Sequence, residues 1–378
     1  MNTIHSRWTS LTRLAVASAC VALAACSGPS RPKPTEISGV PVLQDVRTNW
    51  TANIGKVDFP LVVSAREDRM ALANSQGVVA VIDATNGKDV WRLKLDQAIS
   101  AGVGSDGQQL AVVTRNNELV ALQDGKVQWR KQLPAQSFTA PVVAGARVFV
   151  LTADRSVLAF DGATGRQLWT QQRPGEPLVL KQAGVMLAVK NTLVVGLSGR
   201  LAGLDPNTGV IRWESAIATP RGTNDVERLV DLVAPFDRVG DVVCVRAFQT
   251  AVGCVNAERG QGVWTRPSAG EMGVSGNDNV LIAPMSNGVV QAFNRSNGER
   301  LWETERLKYR ILSAPLVTPR GVLIADNGGW LYLLSLADGA LLNRIKLDSE
   351  ELATAPVLAG GRYVVVTREG RVSGLQIP

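Results

Sequence analysis

The sequence predicts an all-β chain, an eight-bladed β-propeller of four-stranded antiparallel blades, closed by pairing of the N- and C-terminal strands. Three observations predict it. A phrase of about ten residues ending in Trp recurs along the chain with a period near forty residues. Short alternating apolar runs, separated by tight turns, fill the space between copies. The 378 residues include 36 Gly and 18 Pro, which favours turns and short strands over long helices. With 45% hydrophobic and 19% charged residues there is ample material for a core and no signature of disorder.

The phrase reads strand, Asp or Asn, turn, Gly, three residues, Trp. It appears as Val81–Trp91, Ala121–Trp129 (shorter by two), Ala159–Trp169, Gly203–Trp213, Val255–Trp264 and Ala292–Trp302. A weaker copy, Leu334–Asn343, has Asn at the Trp position. Each position has a physical reason. The Asp or Asn side chain bonds the backbone of its own turn. Gly supplies positive φ before the chain reverses. Trp opens the outer strand and fills the wedge between blades, a packing role rather than a cofactor-stacking one. Alternating strands precede the phrases, as in Arg147-Val-Phe-Val-Leu151 and Gly321-Val-Leu-Ile-Ala325. Four short strands per forty residues is the period of a propeller blade.

Counting copies settles closure. Residues 355–378 supply strands but no Trp phrase, whereas Thr48-Asn-Trp50-Thr51 lies 41 residues before Trp91. The N-terminal strand is therefore expected to complete the last blade and leave no open edge. Trp50, Trp91, Trp129, Trp169, Trp213, Trp264, Trp302 and Asn343 then mark eight blades over residues 41–378.

The residues before the propeller read as an export signal. Arg7 and Arg13 precede an apolar run, Leu14–Ala25, too short for the ~20 residues of a membrane span. Leu23-Ala-Ala-Cys26 resembles the bacterial lipobox, which implies removal of residues 1–25 and lipidation of Cys26. Ser27 after it implies sorting to the outer membrane by the lipoprotein pattern. Residues 26–40 carry three prolines and read as a lipid-anchored flexible tether. Cleavage takes the formal charge from +7 to +5 and removes His5, the one histidine. Catalysis and zinc ligation through His are then excluded. A mild +5 without a basic run does not suggest nucleic acid.

Two further patterns are weighed. Gly102-Val-Gly-Ser-Asp-Gly107 matches GxGxxG, but the strand-like Gln108–Thr114 follows where a dinucleotide site needs a helix, so a hairpin turn is expected. Cys244 and Cys254 flank a hairpin centred near Gln249 and would face each other across adjacent strands. In an oxidising periplasm a disulfide staple is expected there, with two buried thiols as the alternative.

Two Trp spacings, 44 and 51, exceed the others. Both excesses follow a Trp, in the connection to the next blade, and so belong to one face of the propeller. Long loops on a rigid scaffold are where binding concentrates. One is Gln171–Lys181 and the other Ala218–Leu232. Both mix apolar and charged residues, which suits a protein partner.

The Asp-x-x-Thr-Gly-x-x-x-Trp phrase resembles the repeat of quinoprotein dehydrogenases, whose propellers bind pyrroloquinoline quinone. With the lipobox and eight blades, the whole chain is similar to the BamB family, lipoproteins of the outer-membrane β-barrel assembly machinery. The resemblance implies a non-catalytic scaffold without cofactor, facing the periplasm from the outer membrane, a monomer within a hetero-complex. It implies binding to the POTRA domains of BamA, with nascent β-barrel proteins as further partners. Leu178-Val-Leu180-Lys181 looks like the family's Leu-x-Leu-Arg segment, with Lys in place of the bidentate Arg. Glu227-Arg228-Leu-Val-Asp231 looks like its acidic-Arg-Leu-x-Asp segment, and a second family Asp is Val233 here. On the residues alone, Leu178 and Leu180 could equally start an inner strand and serve the core. The competing reading, a periplasmic dehydrogenase-like protein dependent on pyrroloquinoline quinone, needs a calcium site, a carboxylate base and, commonly, adjacent cysteines. No carboxylate cluster is recognisable, and Cys244 and Cys254 are not adjacent.

Overall fold

Each repeat folds as one antiparallel sheet, because alternating side chains give every strand two faces to bury between neighbouring blades. The computed structural model describes residues 32–40, 47–173, 178–347 and 351–377. The expected signal segment, Cys26 and Pro174–Pro177 of the first insertion lie outside the described residues. Residues 32–34 carry no regular secondary structure. Thr35–Pro378 forms one compact unit.

Among the described residues, 32 strands make eight four-stranded sheets. Blades one to seven span 64–94, 99–132, 142–172, 186–216, 232–267, 275–304 and 316–346, each with its strands in chain order from inside to outside. Blade eight takes three strands from 357–376 and its outer strand, Arg47–Asn53, from the other end of the chain. Trp50 pairs with Gly374 and Asn53 with Arg371. One apolar cluster joins Trp50 and Val366 to Leu72 and Val112, and another joins Leu323 to Val365 and Leu375. Both sides of blade eight are thus packed and the ring is shut.

Strand direction alternates within a blade. The phrase turn therefore lies on one face, here called the phrase face. The connections between blades, and the turns between second and third strands, lie on the other, the connection face.

The Trp does more than fill space. For five of the Trp residues the indole N–H donates to a main-chain carbonyl of the next blade's phrase turn, one residue after the Asp or its equivalent. Trp50 reaches Ala84 (2.9 Å), Trp129 reaches Gly162 (2.7 Å) and Trp169 reaches Pro206 (3.1 Å). Trp264 reaches Arg295 (2.7 Å) and Trp302 reaches Leu336 (2.8 Å). The ring lies flat beneath the Gly of that turn. At Gly165, φ +68°, a Cβ would stand 2.6 Å from the Trp129 ring, so only Gly fits both the backbone and the contact. The turn is itself fixed by its Asp. Asp161 accepts the Thr164 hydroxyl (2.7 Å) and N–H (2.8 Å), which hold its carboxyl below the usual carboxylate range.

The departures are informative. Asn343 stands where Trp is expected because blade eight has no phrase turn: its third and outer strands come from opposite chain ends. A Trp there would have no turn to sit beneath. Trp213 packs against Gly260 but leaves its indole nitrogen without a partner, and nothing in the structure explains this.

Gly102–Gly107 runs off the strand Ile99–Ser105 into a turn, and the strand Gln109–Thr114 follows, not a helix. Cys244 and Cys254 are directly opposed in the middle strands of blade five, fully buried, with their sulfurs bonded at 1.97 Å.

Trp129→Ala removes a buried ring and its hydrogen bond, and is expected to cost about 3–5 kcal/mol in urea unfolding. Asn343→Trp is expected to add no stability, and a gain there would contradict this role for the turn.

Candidate partner-binding site

The two insertions flank blade four on the connection face: residues 173–185 enter it and 217–231 leave it. Their local chemistry differs. In the second, Asn224 Oδ1 accepts the Glu227 N–H (3.0 Å) and the Asn224 carbonyl accepts the Arg228 N–H (3.2 Å). Glu227 reaches back to the Thr223 N–H (2.8 Å), which holds its carboxyl below the usual range. This is a single helical turn closed by a capping-box-like exchange. It presents Val226, 69% exposed, and the exposed Arg228 to solvent, while Val230 is buried and anchors the loop.

The first insertion is irregular. Leu178 is 39% exposed, Leu180 half-buried and Lys181 exposed. Neither leucine lies in a strand, since the inner strand of blade four begins only at Met186. The Leu180 N–H is bound by a side chain rather than by a ladder.

That side chain is Asp231, the point where the insertions meet. Its Oδ2 accepts the Leu180 N–H (3.1 Å) and its Oδ1 pairs with Arg155 Nη1 (3.1 Å). Arg155 Nη2 donates to the Leu178 carbonyl (3.2 Å), and the Phe248 N–H donates to the Asp231 carbonyl (3.0 Å). Arg155 sits in the turn between the second and third strands of blade three, on the connection face, its side chain only 9% exposed against 18% for Asp231. A nearly dry, charge-assisted pair of this kind is directional. It welds loops from three blades into one surface. A cleft of about 60 Å³ lies beside it, lined by Phe138, Thr139, Leu180 and Leu232 together with the pair. Arg173 pairs with Glu214 and ties the start of the first insertion to the outer strand of blade four.

The six residues singled out in the sequence therefore come together on one face in two roles. Leu178, Lys181 and Arg228 are exposed at the surface, whereas Asp231 turns inward and Glu227 caps its own turn. Arg155 is not marked by any sequence pattern. Its turn position in blade three places it on the right face, but no local pattern marks a partner 76 residues away. Among the described residues, no group of three or more His, Cys, Asp or Glu side chains is placed to hold a metal ion.

Breaking a buried pair leaves the other charge unpaired, at about 3–5 kcal/mol. Asp231→Ala and Arg155→Ala are each expected to lower stability by a few kcal/mol and to speed hydrogen exchange in 178–184 and 217–230. The double variant is expected to lose clearly less than the sum of the two, and strict additivity would show that the pair does not couple the loops.

Comparison with known proteins accords with this architecture. A family model described as outer membrane protein assembly factor BamB matches residues 75–304 and 286–377. The chain is 35% identical over 369 residues to the outer membrane protein assembly factor BamB of Burkholderia pseudomallei, covering 96% of this chain and 97% of that protein. It is 32% identical over 358 residues to the BamB of Bordetella pertussis, covering 93% of each. In fold it is similar to the crystal structure of BamB from Moraxella catarrhalis, with a TM-score of 0.79, 22% identity, and coverage of 88% of this chain and 100% of that one. It is also similar to a quinohemoprotein alcohol dehydrogenase from Comamonas testosteroni (TM-score 0.67, 14% identity, 92% of this chain and 80% of that one), a likeness of fold alone. The family match over most of the propeller and the identity to two relatives along nearly their whole length show that this chain belongs to the BamB family of outer membrane protein assembly factors.

Proposed function

We propose that the chain is a non-catalytic scaffold of outer-membrane protein assembly. It is held at the outer membrane by lipid on Cys26, faces the periplasm, binds the POTRA region of BamA and assists the insertion of β-barrel proteins. The observation that carries this reading is the pairing of the two longest insertions into one surface by Asp231 and Arg155. The assembly role named for its relatives supports the same role here. Exposed Leu178 and Val226 lie with Arg228 and Lys181 on that surface, an apolar-and-cationic mosaic suited to a non-obligate protein interface. Leu178, Lys181 and Arg228 make the direct contacts. Leu180, Glu227 and Asp231 hold the loops in the shape those contacts need.

Co-purification from detergent-solubilised outer membranes tests this. The wild-type lipoprotein is expected to recover BamA. Arg228→Glu or Leu178→Asp is expected to lower recovery about tenfold or more, as for a hot-spot loss of about 2 kcal/mol. Undiminished recovery with both variants would remove the site. Dye-linked alcohol oxidation on reconstitution with pyrroloquinoline quinone and calcium would overturn the non-catalytic reading.

A further inference from the structure

Residues 35–40, expected from composition to belong to the tether, lie against the propeller. The Thr35 N–H donates to the Lys308 carbonyl (3.0 Å), and the Thr35 carbonyl accepts from Arg310 Nη2 (3.0 Å). Ile37 is half-buried against the apolar cluster shared by blades six and seven, and its carbonyl lies 3.5 Å from Arg344 Nη1.

The receiving surface is built independently of these residues. Arg310 is held by Asp326 (3.0 Å), a carboxylate whose side chain is 2% exposed. Asp326 also accepts the Tyr332 hydroxyl (2.7 Å) and the N–H groups of Gly328 (2.9 Å) and Trp330 (3.0 Å). Arg344 stacks over the Trp330 ring at 4.8 Å. Two guanidinium groups are thus fixed before the segment arrives, so little side-chain freedom is lost when they bind it. Both bind main-chain carbonyls, so the segment needs no charged motif of its own.

Lys308 and Arg310 belong to the connection between blades six and seven, on the face that carries the two insertions. Arg47, which opens the outer strand of blade eight, pairs with Gln376 on the phrase face. Between them, Ser38–Val40 borders a cleft with Arg306 and with Asp338 of blade seven's phrase turn. Thr35 and Arg47 therefore stand on opposite faces of the ring.

We propose that residues 35–40 are a strap, clipped between blades six and seven, that makes the lipid tether leave from the partner-binding face. The consequence for reach rests on lipidation of Cys26, proposed above. With the strap docked, nine residues separate Cys26 from its first fixed residue, Thr35. At ~3.3 Å per residue this allows about 30 Å. Without the strap the first fixed residue is Arg47, 21 residues away on the opposite face. The reach would then be about 70 Å. The strap keeps the insertion-bearing face within a short radius of the bilayer.

Hydrogen exchange on the full-length lipoprotein in detergent tests the strap. The Thr35 amide is expected to exchange at least tenfold more slowly than an unstructured peptide. Ile37→Asp, which leaves the blade strands unchanged, is expected to abolish that protection at Thr35 without changing the melting temperature. Exchange at the unstructured rate in the wild type would overturn the proposal. In the second arm, Val226→Cys carries a fluorescent label and the protein is placed in phosphatidylethanolamine–phosphatidylglycerol vesicles containing an acceptor lipid. Energy transfer is expected to fall at least twofold on adding Ile37→Asp, and equal transfer would overturn the claim about reach. Exchange reads the strap whether or not Cys26 carries lipid, and intact mass reports the lipid. Failure of the strap and failure of the anchor are therefore seen separately.

Discussion

The structure depends on one repeated contact: an indole ring lying under the neighbouring blade's turn, with its N–H bonded to a carbonyl of that turn. Five blade boundaries carry it in full, and at each of them it links one blade to the next rather than stabilising a blade alone. It also dictates the turn, because the ring leaves no room for a Cβ at the Gly and the Asp must close the turn locally. A ring of such contacts propagates until the chain ends. Trp50, carried by the N-terminal strand, makes the contact to blade one that blade eight could not otherwise supply. The single Asn in the series falls where the neighbouring turn is replaced by the two chain ends.

A shut ring of identical wedges has a regular surface, and function then concentrates where regularity is broken. The two long connections flanking blade four are the largest breaks. Left separate they would be two surface loops. Asp231 and Arg155 join them, drawing on the turn of blade three as a third support. The pair lies inside, so its effect on a partner is indirect: it sets where Leu178 and Arg228 stand. The N-terminal strap uses the same device at another junction, an arginine fixed by a buried carboxylate and reaching for main-chain carbonyls.

Much of the fold was legible because the decisive contact is written locally. Asp, Gly and Trp fall at fixed offsets, and their spacing counts the blades and exposes the missing outer strand at the C-terminus. The same spacing revealed both insertions, and the hairpin between Cys244 and Cys254 put these residues opposite one another in blade five. What escaped the sequence is long-range pairing of single side chains. Nothing near Arg155 distinguishes its turn from those of other blades, and Asp231 reads equally well as a surface acid or as an inward one. Leu178 and Leu180 fitted a strand as well as a loop, and the competition was settled by Asp231 binding the Leu180 N–H. Thr35 and Ile37 sit in a proline-rich stretch that reads as tether, because Arg310 and Arg344 recognise backbone and leave no mark on the side chains they bind.

The central claim, that the insertion-bearing face meets the assembly machinery, is tested most directly by photo-crosslinking in intact cells. A photoreactive residue is placed in turn at Leu178 and Val226 on that face, and at Asn86 and Asn207 in phrase turns on the other. The account predicts crosslinks to BamA from the first pair and none from the second. Crosslinks from the phrase face alone would contradict it.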